Sequence, residues 1–303
     1  MDHCNSEKVK AMRLLIYGAG VIGSLYAALL SKAGMDVTVY ARGKRLSCLQ
    51  EKGLLYRKNG QVHKANVKVI SSLSDNDSYD FIFLTVREDQ LMTALAELKD
   101  NVSPTIVTMV NSLDTYENWE RICGKGRILP GFPGAGGGID GDILNASLTP
   151  RIIQPTTIGK TGGRERTLAE IFRRAHIPCQ IVDDMHNWQI CHLGMVVPIA
   201  DAYYESDDPE HSGKDRALMR KTAAQIRDNF RSIKNMGIRL SPVKMNVFLV
   251  LPVKIVAMVL GFTFRSEFGN IFMYQHSMKA PNEMHRLHEQ FYTYIKGIEP
   301  TVY

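Results

Sequence analysis

The chain of 303 residues is 45% apolar and 22% charged, the balance of an ordinary globular protein long enough for two domains. Its net charge of +6 is spread without a run of five like charges, which argues against nucleic acid as a partner and for small anionic ligands. Five cysteines (Cys4, Cys48, Cys123, Cys179 and Cys191) are odd in number and form no C-x-x-C, so free thiols in a reducing compartment are expected, the cytoplasm by default.

Residues 1–11 are polar and lack the apolar stretch of a signal peptide, so a short flexible extension is expected. The run Leu14-Leu15-Ile16-Tyr17 then stops at Gly18-Ala19-Gly20-Val21-Ile22-Gly23, which reads as strand, tight turn and helix start. In that G-x-G-x-x-G, Gly18 permits the turn, Gly20 lets a pyrophosphate approach the backbone and Gly23 lets the helix pack on the strand. A helix over 24–33 and a strand over 37–40 complete a βαβ unit, the context a dinucleotide site requires. The helix N-terminus offers free N–H groups and a positive dipole end to the phosphates.

No acidic residue follows the second strand to accept hydrogen bonds from an adenosine ribose. Arg42, Lys44 and Arg45 stand there instead, which favours the 2′-phosphate of NADP; the alternative is a solvated basic loop. Further strands are expected over 67–70, 79–86 and 105–110, with a helix over 88–99 between the last two. Ligands of an open α/β sheet sit beyond the carboxyl ends of its strands, so Gly18, Arg42, Arg87 and Asn111 are expected along one crevice. A helix over 115–122, a strand over 127–129 and a glycine-rich loop over 131–138 follow. Strands over 152–158 and 180–182 flank a helix over 164–175.

From Asp183 only helices are expected, over 184–204, 214–236, 242–260 and 281–296. Ser241 reads as an N-cap before Pro242, and Ala280-Pro281 as a second helix start. The apolar stretch 245–264 is long enough to span a membrane, but Lys254, Asn246 and Pro252 argue for a buried helix instead. The expected architecture is α/β: a Rossmann-type doubly wound sheet over 12–183, binding NADP, then an all-helical domain over 184–303 for substrate or dimerisation.

The order of these features resembles the ketopantoate reductase family. The likeness rests on Gly18 to Gly23, Arg42, Thr85-Val86-Arg87-Glu88-Asp89-Gln90, Val110-Asn111-Ser112-Leu113, the loop at Ala135, and Asn187-Trp188. It implies an NADPH-dependent reduction of a 2-oxo acid, with Gly18, Ala19, Gly20, Val21, Ile22, Gly23, Arg42, Arg87, Asn111, Ala135 and Glu283 around the cofactor. In that family a lysine two residues after the tryptophan is the general acid, and asparagines one and two turns later hold the substrate. Here the positions are Ile190, Gly194 and Pro198. Spacings of four put them on one helical face, expected to look into the cleft and, stripped of polar groups, to leave room for a larger or less polar ligand.

Ile190 cannot donate a proton. His192 is turned about 200° from it around the helix, whereas His186, four residues before, lies near its face, so His186 is the candidate catalytic group; the alternative is a cap or surface residue. His285 and His288, with Glu289, lack a third clear ligand, so no metal is expected. The expected function is NADPH-dependent hydride transfer to a 2-oxo acid or related carbonyl or imine, other than ketopantoate, in a protein that could form a homodimer. The alternative is a catalytically silent NADP-binding regulator.

Overall fold

The computed structural model describes residues 12–297, so the expected extension over 1–11 lies outside the described residues. Its main sheet has eight strands in the order β12-β11-β8-β7-β6-β1-β2-β5. They are β1 (Arg13–Tyr17), β2 (Asp36–Tyr40), β5 (Lys68–Ile70), β6 (Phe81–Leu84), β7 (Ile106–Met109), β8 (Ile128–Phe132), β11 (Thr156–Gly159) and β12 (Cys179–Val182). All neighbours pair in parallel except β8 and β11. The central strands are continuous apolar runs such as Phe81-Ile82-Phe83-Leu84, every residue buried, as a sheet covered on both faces requires.

Helices α1 (Val21–Lys32) and α5 (Arg164–Arg174) pack on one face, over Leu14, Ile16, Val37 and Phe83. Helices α3 (Leu91–Glu97) and α4 (Tyr116–Cys123) pack on the other, over Leu15, Tyr17, Ile82 and Leu84. The alternating facing of successive strand residues produces both cores.

A second sheet, β4-β3-β10-β9, was absent from the sequence reading. It comprises β3 (Leu54–Lys58), β4 (Gln61–Ala65), β9 (Ala135–Asp140) and β10 (Ile143–Leu148). Asn59 and Gly60, with φ of 50° and 77°, turn the first hairpin and Gly141-Asp142 the second, the short loops that match strand twist. The expected loop over 131–138 is therefore largely strand. Helix α2 (Gly43–Lys52) also went unforeseen, and the strand expected over 152–158 begins only at Thr156.

Beyond Val182 every described element is helical. The long helices are α6 (Met185–Glu205), α7 (Arg216–Asn235), α9 (Val253–Phe264) and α12 (Pro281–Ile295); α8 (Val247–Val250), α10 (Glu267–Gly269) and α11 (Gln275–Lys279) are short. The helix expected over 242–260 breaks at Leu251-Pro252, where the two arms turn by 119°. Pro252 lacks an amide hydrogen and bars helical geometry in the residue before it. Ser241 does not cap this segment; Pro242 occupies the cap position, with no side-chain bond. Nor is α9 wholly buried: Val256, Ala257, Leu260 and Phe264 face inward while Met258, Val259 and Phe262 are exposed. No single helix among the described residues is long and apolar enough to cross a membrane.

Candidate active site

The glycine turn sits where β1 ends against β6. Gly18 has φ of +112°, and a Cβ there would lie 2.9 Å from the Thr85 carbonyl oxygen. At Gly23 a Cβ would lie 2.0 Å from the Gly18 carbonyl oxygen and 2.4 Å from Thr85 Oγ1, while that hydroxyl donates to Gly18 at 2.8 Å. Gly20 differs: a Cβ there would meet nothing within 4 Å. Its backbone borders open space at the N-terminus of α1, which has no side-chain cap and no acidic residue in its first turn. Unanswered amides facing open space suit a diphosphate.

Sheet order brings the expected crevice together. Arg42 follows β2, Gly18 follows β1, Thr85 to Arg87 follow β6 and Asn111 follows β7, four adjacent parallel strands. Asn111 Oδ1 is buried without a hydrogen-bond partner, a costly condition that a ligand donor would relieve. Arg87 is exposed and lies in the field of Glu283, whose carboxyl is raised by burial against the pull of Arg87. Beside them Glu88 accepts from Arg286 at 3.1 Å and from Gln290 at 3.5 Å, fastening α12 to the β6–α3 loop. Ala135 opens β9 and packs against the core cluster that includes Ala19 and residues of helix α1. Arg42 already has a carboxylate partner, Glu97. Arg45 turns back onto the glycine loop, donating to the Ala19 carbonyl at 3.1 Å and to Ser24 Oγ at 3.2 Å.

On the helical side the expected stripe faces elsewhere. Ile190 is fully buried in the core of the helical region, and a Cβ on Gly194 would lie 3.0 Å from Ile233 Cδ1 and 3.2 Å from Phe230 Cε1 of α7. Pro198 is also buried. At Gly194 the space left by a missing side chain is thus taken up by α7, not offered to a ligand. Gln189 instead meets the sheet, its Nε2 donating to the Val110 carbonyl at 3.1 Å while its Oε1 accepts from Tyr116 at 2.6 Å.

His186 has its ring between Tyr116 and Tyr294 and a buried, unpartnered Nδ1; burial lowers its pKa, against the pull of Asp184. It lines a cavity of about 470 Å³ with Tyr116, Glu120, Lys160 and Asp184, which includes none of the expected cofactor residues. His192 was passed over, yet it stands at the end of β8. Its ring stacks on Trp188 at 5.1 Å and lies 4.5 Å from Phe132. Phe132 follows the residue paired with Met109, which sets it beside Val110 and next to Asn111. Burial, with His276 nearby, pushes the His192 pKa down to about 3, so it is neutral and keeps one N–H to donate. The 200° rotation held against His192 is what carries it to the sheet, because Ile190 points away.

The two histidines of α12 are tied locally. His288 Nδ1 lies 2.9 Å from Asp201, and the His285 ring packs on Tyr204.

Residues 14–155 match the family model described as ketopantoate reductase PanE/ApbA. A 2-dehydropantoate 2-reductase of Archaeoglobus fulgidus is 29% identical over 179 residues, 58% of this chain and 58% of that protein; the chain thus matches less than two thirds of that relative's length. Among solved structures, D-mandelate dehydrogenase with NADH and anilino(oxo)acetate superposes with a TM-score of 0.62 at 15% identity, over 94% of this chain and 99% of that one. A dimeric ketopantoate reductase from Staphylococcus aureus gives 0.61 at 12%, over 94% and 100%. The structural likenesses establish a shared fold across both halves. Over residues 14–155, just under half of its length, the sequence is thus similar to the ketopantoate reductase family, at the low identity of a divergent relative.

Proposed function

We propose that the protein is a nicotinamide-dependent oxidoreductase acting on a 2-oxo acid or related carbonyl compound held between the sheet and the helices. The observation that carries this reading is the open space at Gly20, bordered by the uncapped N-terminus of α1. The family match and the oxidoreductase names of its relatives support it.

A bound nicotinamide supplies or accepts the hydride. The amides of the Gly18–Gly23 turn would hold the pyrophosphate, with Arg45 bracing that turn; Arg42 with Lys44 would face an NADP 2′-phosphate, and Asn111 Oδ1 would accept from the cofactor or substrate. Glu283, with Arg87 near it, and Ala135 would border the nicotinamide end. For the developing oxyanion we favour His192 over His186, because its neutral imidazole stands at the end of β8, the strand next to the one that Asn111 follows. Ketopantoate is not the substrate in this reading, since Ile190 supplies neither charge nor donor.

The test is oxidation of NADPH or NADH with a panel of alkyl and aryl 2-oxo acids, ketones and imines. Turnover of some member but not of ketopantoate is expected. Ordinary turnover of ketopantoate would overturn the substrate assignment, and binding of cofactor without any oxidation would favour the silent regulator, the reading to which buried Ile190 lends weight.

A further inference from the structure

The sequence offers Arg42 as a free cation at the end of β2. In the fold it is held by three groups. Its Nε donates to the Tyr40 hydroxyl at 2.7 Å and its Nη2 to the Tyr17 hydroxyl at 2.9 Å, with the guanidinium 5.0 Å from the Tyr40 ring centroid. Tyr17 and Tyr40 are register partners on β1 and β2, stacked at 4.5 Å. The third group is Glu97, the last residue of α3, which accepts from both Arg42 Nη2 and the Tyr17 hydroxyl. Burial and then Glu97 raise the Tyr17 pKa, so the phenol stays a donor.

Arg42 and Glu97 keep 54% and 39% of their side-chain surface open, so a ligand arriving over Gly20 reaches this ion pair from solvent. Arg45 cannot replace Arg42 without leaving Ala19 and Ser24. A Rossmann site that takes NADH places an acidic residue at the end of the second strand. This chain has none there, but Glu97 brings a carboxylate to the same place from α3.

We propose that Glu97 sets the choice of dinucleotide, as a built-in competitor for Arg42 that a 2′-phosphate must displace and that a 2′-hydroxyl need not. The inference rests on the proposed cofactor reading. A phosphate monoester carries about 1.5 to 2 negative charges, so a fixed carboxylate on its intended cation weakens NADPH far more than NADH. The site is open to water, so salt mutes the difference.

The experiment is fluorescence titration of NADPH and NADH against the wild type, Glu97→Gln, Arg42→Ala and the double variant, with thermal melts of each. We expect Glu97→Gln to tighten NADPH by roughly ten-fold at low salt, to leave NADH within about two-fold, and to lose the gain when Arg42 is absent. Both cofactors binding with an unchanged affinity ratio in Glu97→Gln would overturn the role of Glu97 and leave the cofactor reading standing. Neither cofactor binding any folded variant would overturn both.

Discussion

Gly20 and Gly23 are three residues apart and impose opposite constraints. A methyl at Gly23 would collide with backbone, whereas one at Gly20 would enter only the space assigned to a diphosphate. Gly23→Ala should therefore lower the melting temperature by at least about 5 °C, while Gly20→Ala should melt like the wild type; calorimetric scans of both check this, and equal destabilisation would contradict it. Ile190→Lys would restore the family's residue type but bury an unpaired ammonium beside α7. It should cost several kcal/mol in urea unfolding and confer no ketopantoate reduction. The positions of the motif glycines and of Asn111 in the fold were legible because their reasons are local, a turn, a close approach and a strand end. That Arg42 is already paired was not, since Glu97 lies 55 residues away and nothing near either residue announces the other.

Helix α6 shows how element-level reading succeeds and fails. Its span was legible within a residue or two from Asp184, whose side chain accepts from the Asn187 amide, to Tyr204. Which face meets the sheet was not, because α6 is apolar nearly all round and its pattern carries no orientation. The second sheet was missed for a different reason: Asn59-Gly60 between Tyr56-Arg57-Lys58 and Gln61-Val62-His63 is a direct hairpin signal, but these strands are mostly polar and lack the apolar alternation of a half-buried strand.

Orientation of α6 has a consequence in acid. His192 titrates near 6.5 when unfolded and about 3 when folded, so the unfolded chain binds the extra proton and stability falls as pH drops below 6.5. The cost is about 1.4 kcal/mol per pH unit down to the folded value. His192→Phe should flatten that limb in urea midpoints measured from pH 7 to 4. The raised carboxyls of Asp201 and Glu283 act in the opposite sense, so the difference between the two proteins carries the test; parallel curves would contradict it.

At the scale of the molecule, two interlocked halves leave two surfaces unspent, the crevice along the strand ends and the outer face of α9. Met258, Val259 and Phe262 lie there exposed at helical spacing. The cofactor crevice is the more consequential of the two, and titration calorimetry of NADPH and NADH against the wild type and Gly20→Ala tests it most directly. Saturable binding of at least one dinucleotide to the wild type is expected, weakened at least about ten-fold in an equally stable Gly20→Ala. Absence of binding to folded wild type, or equal affinity for both proteins, would contradict it.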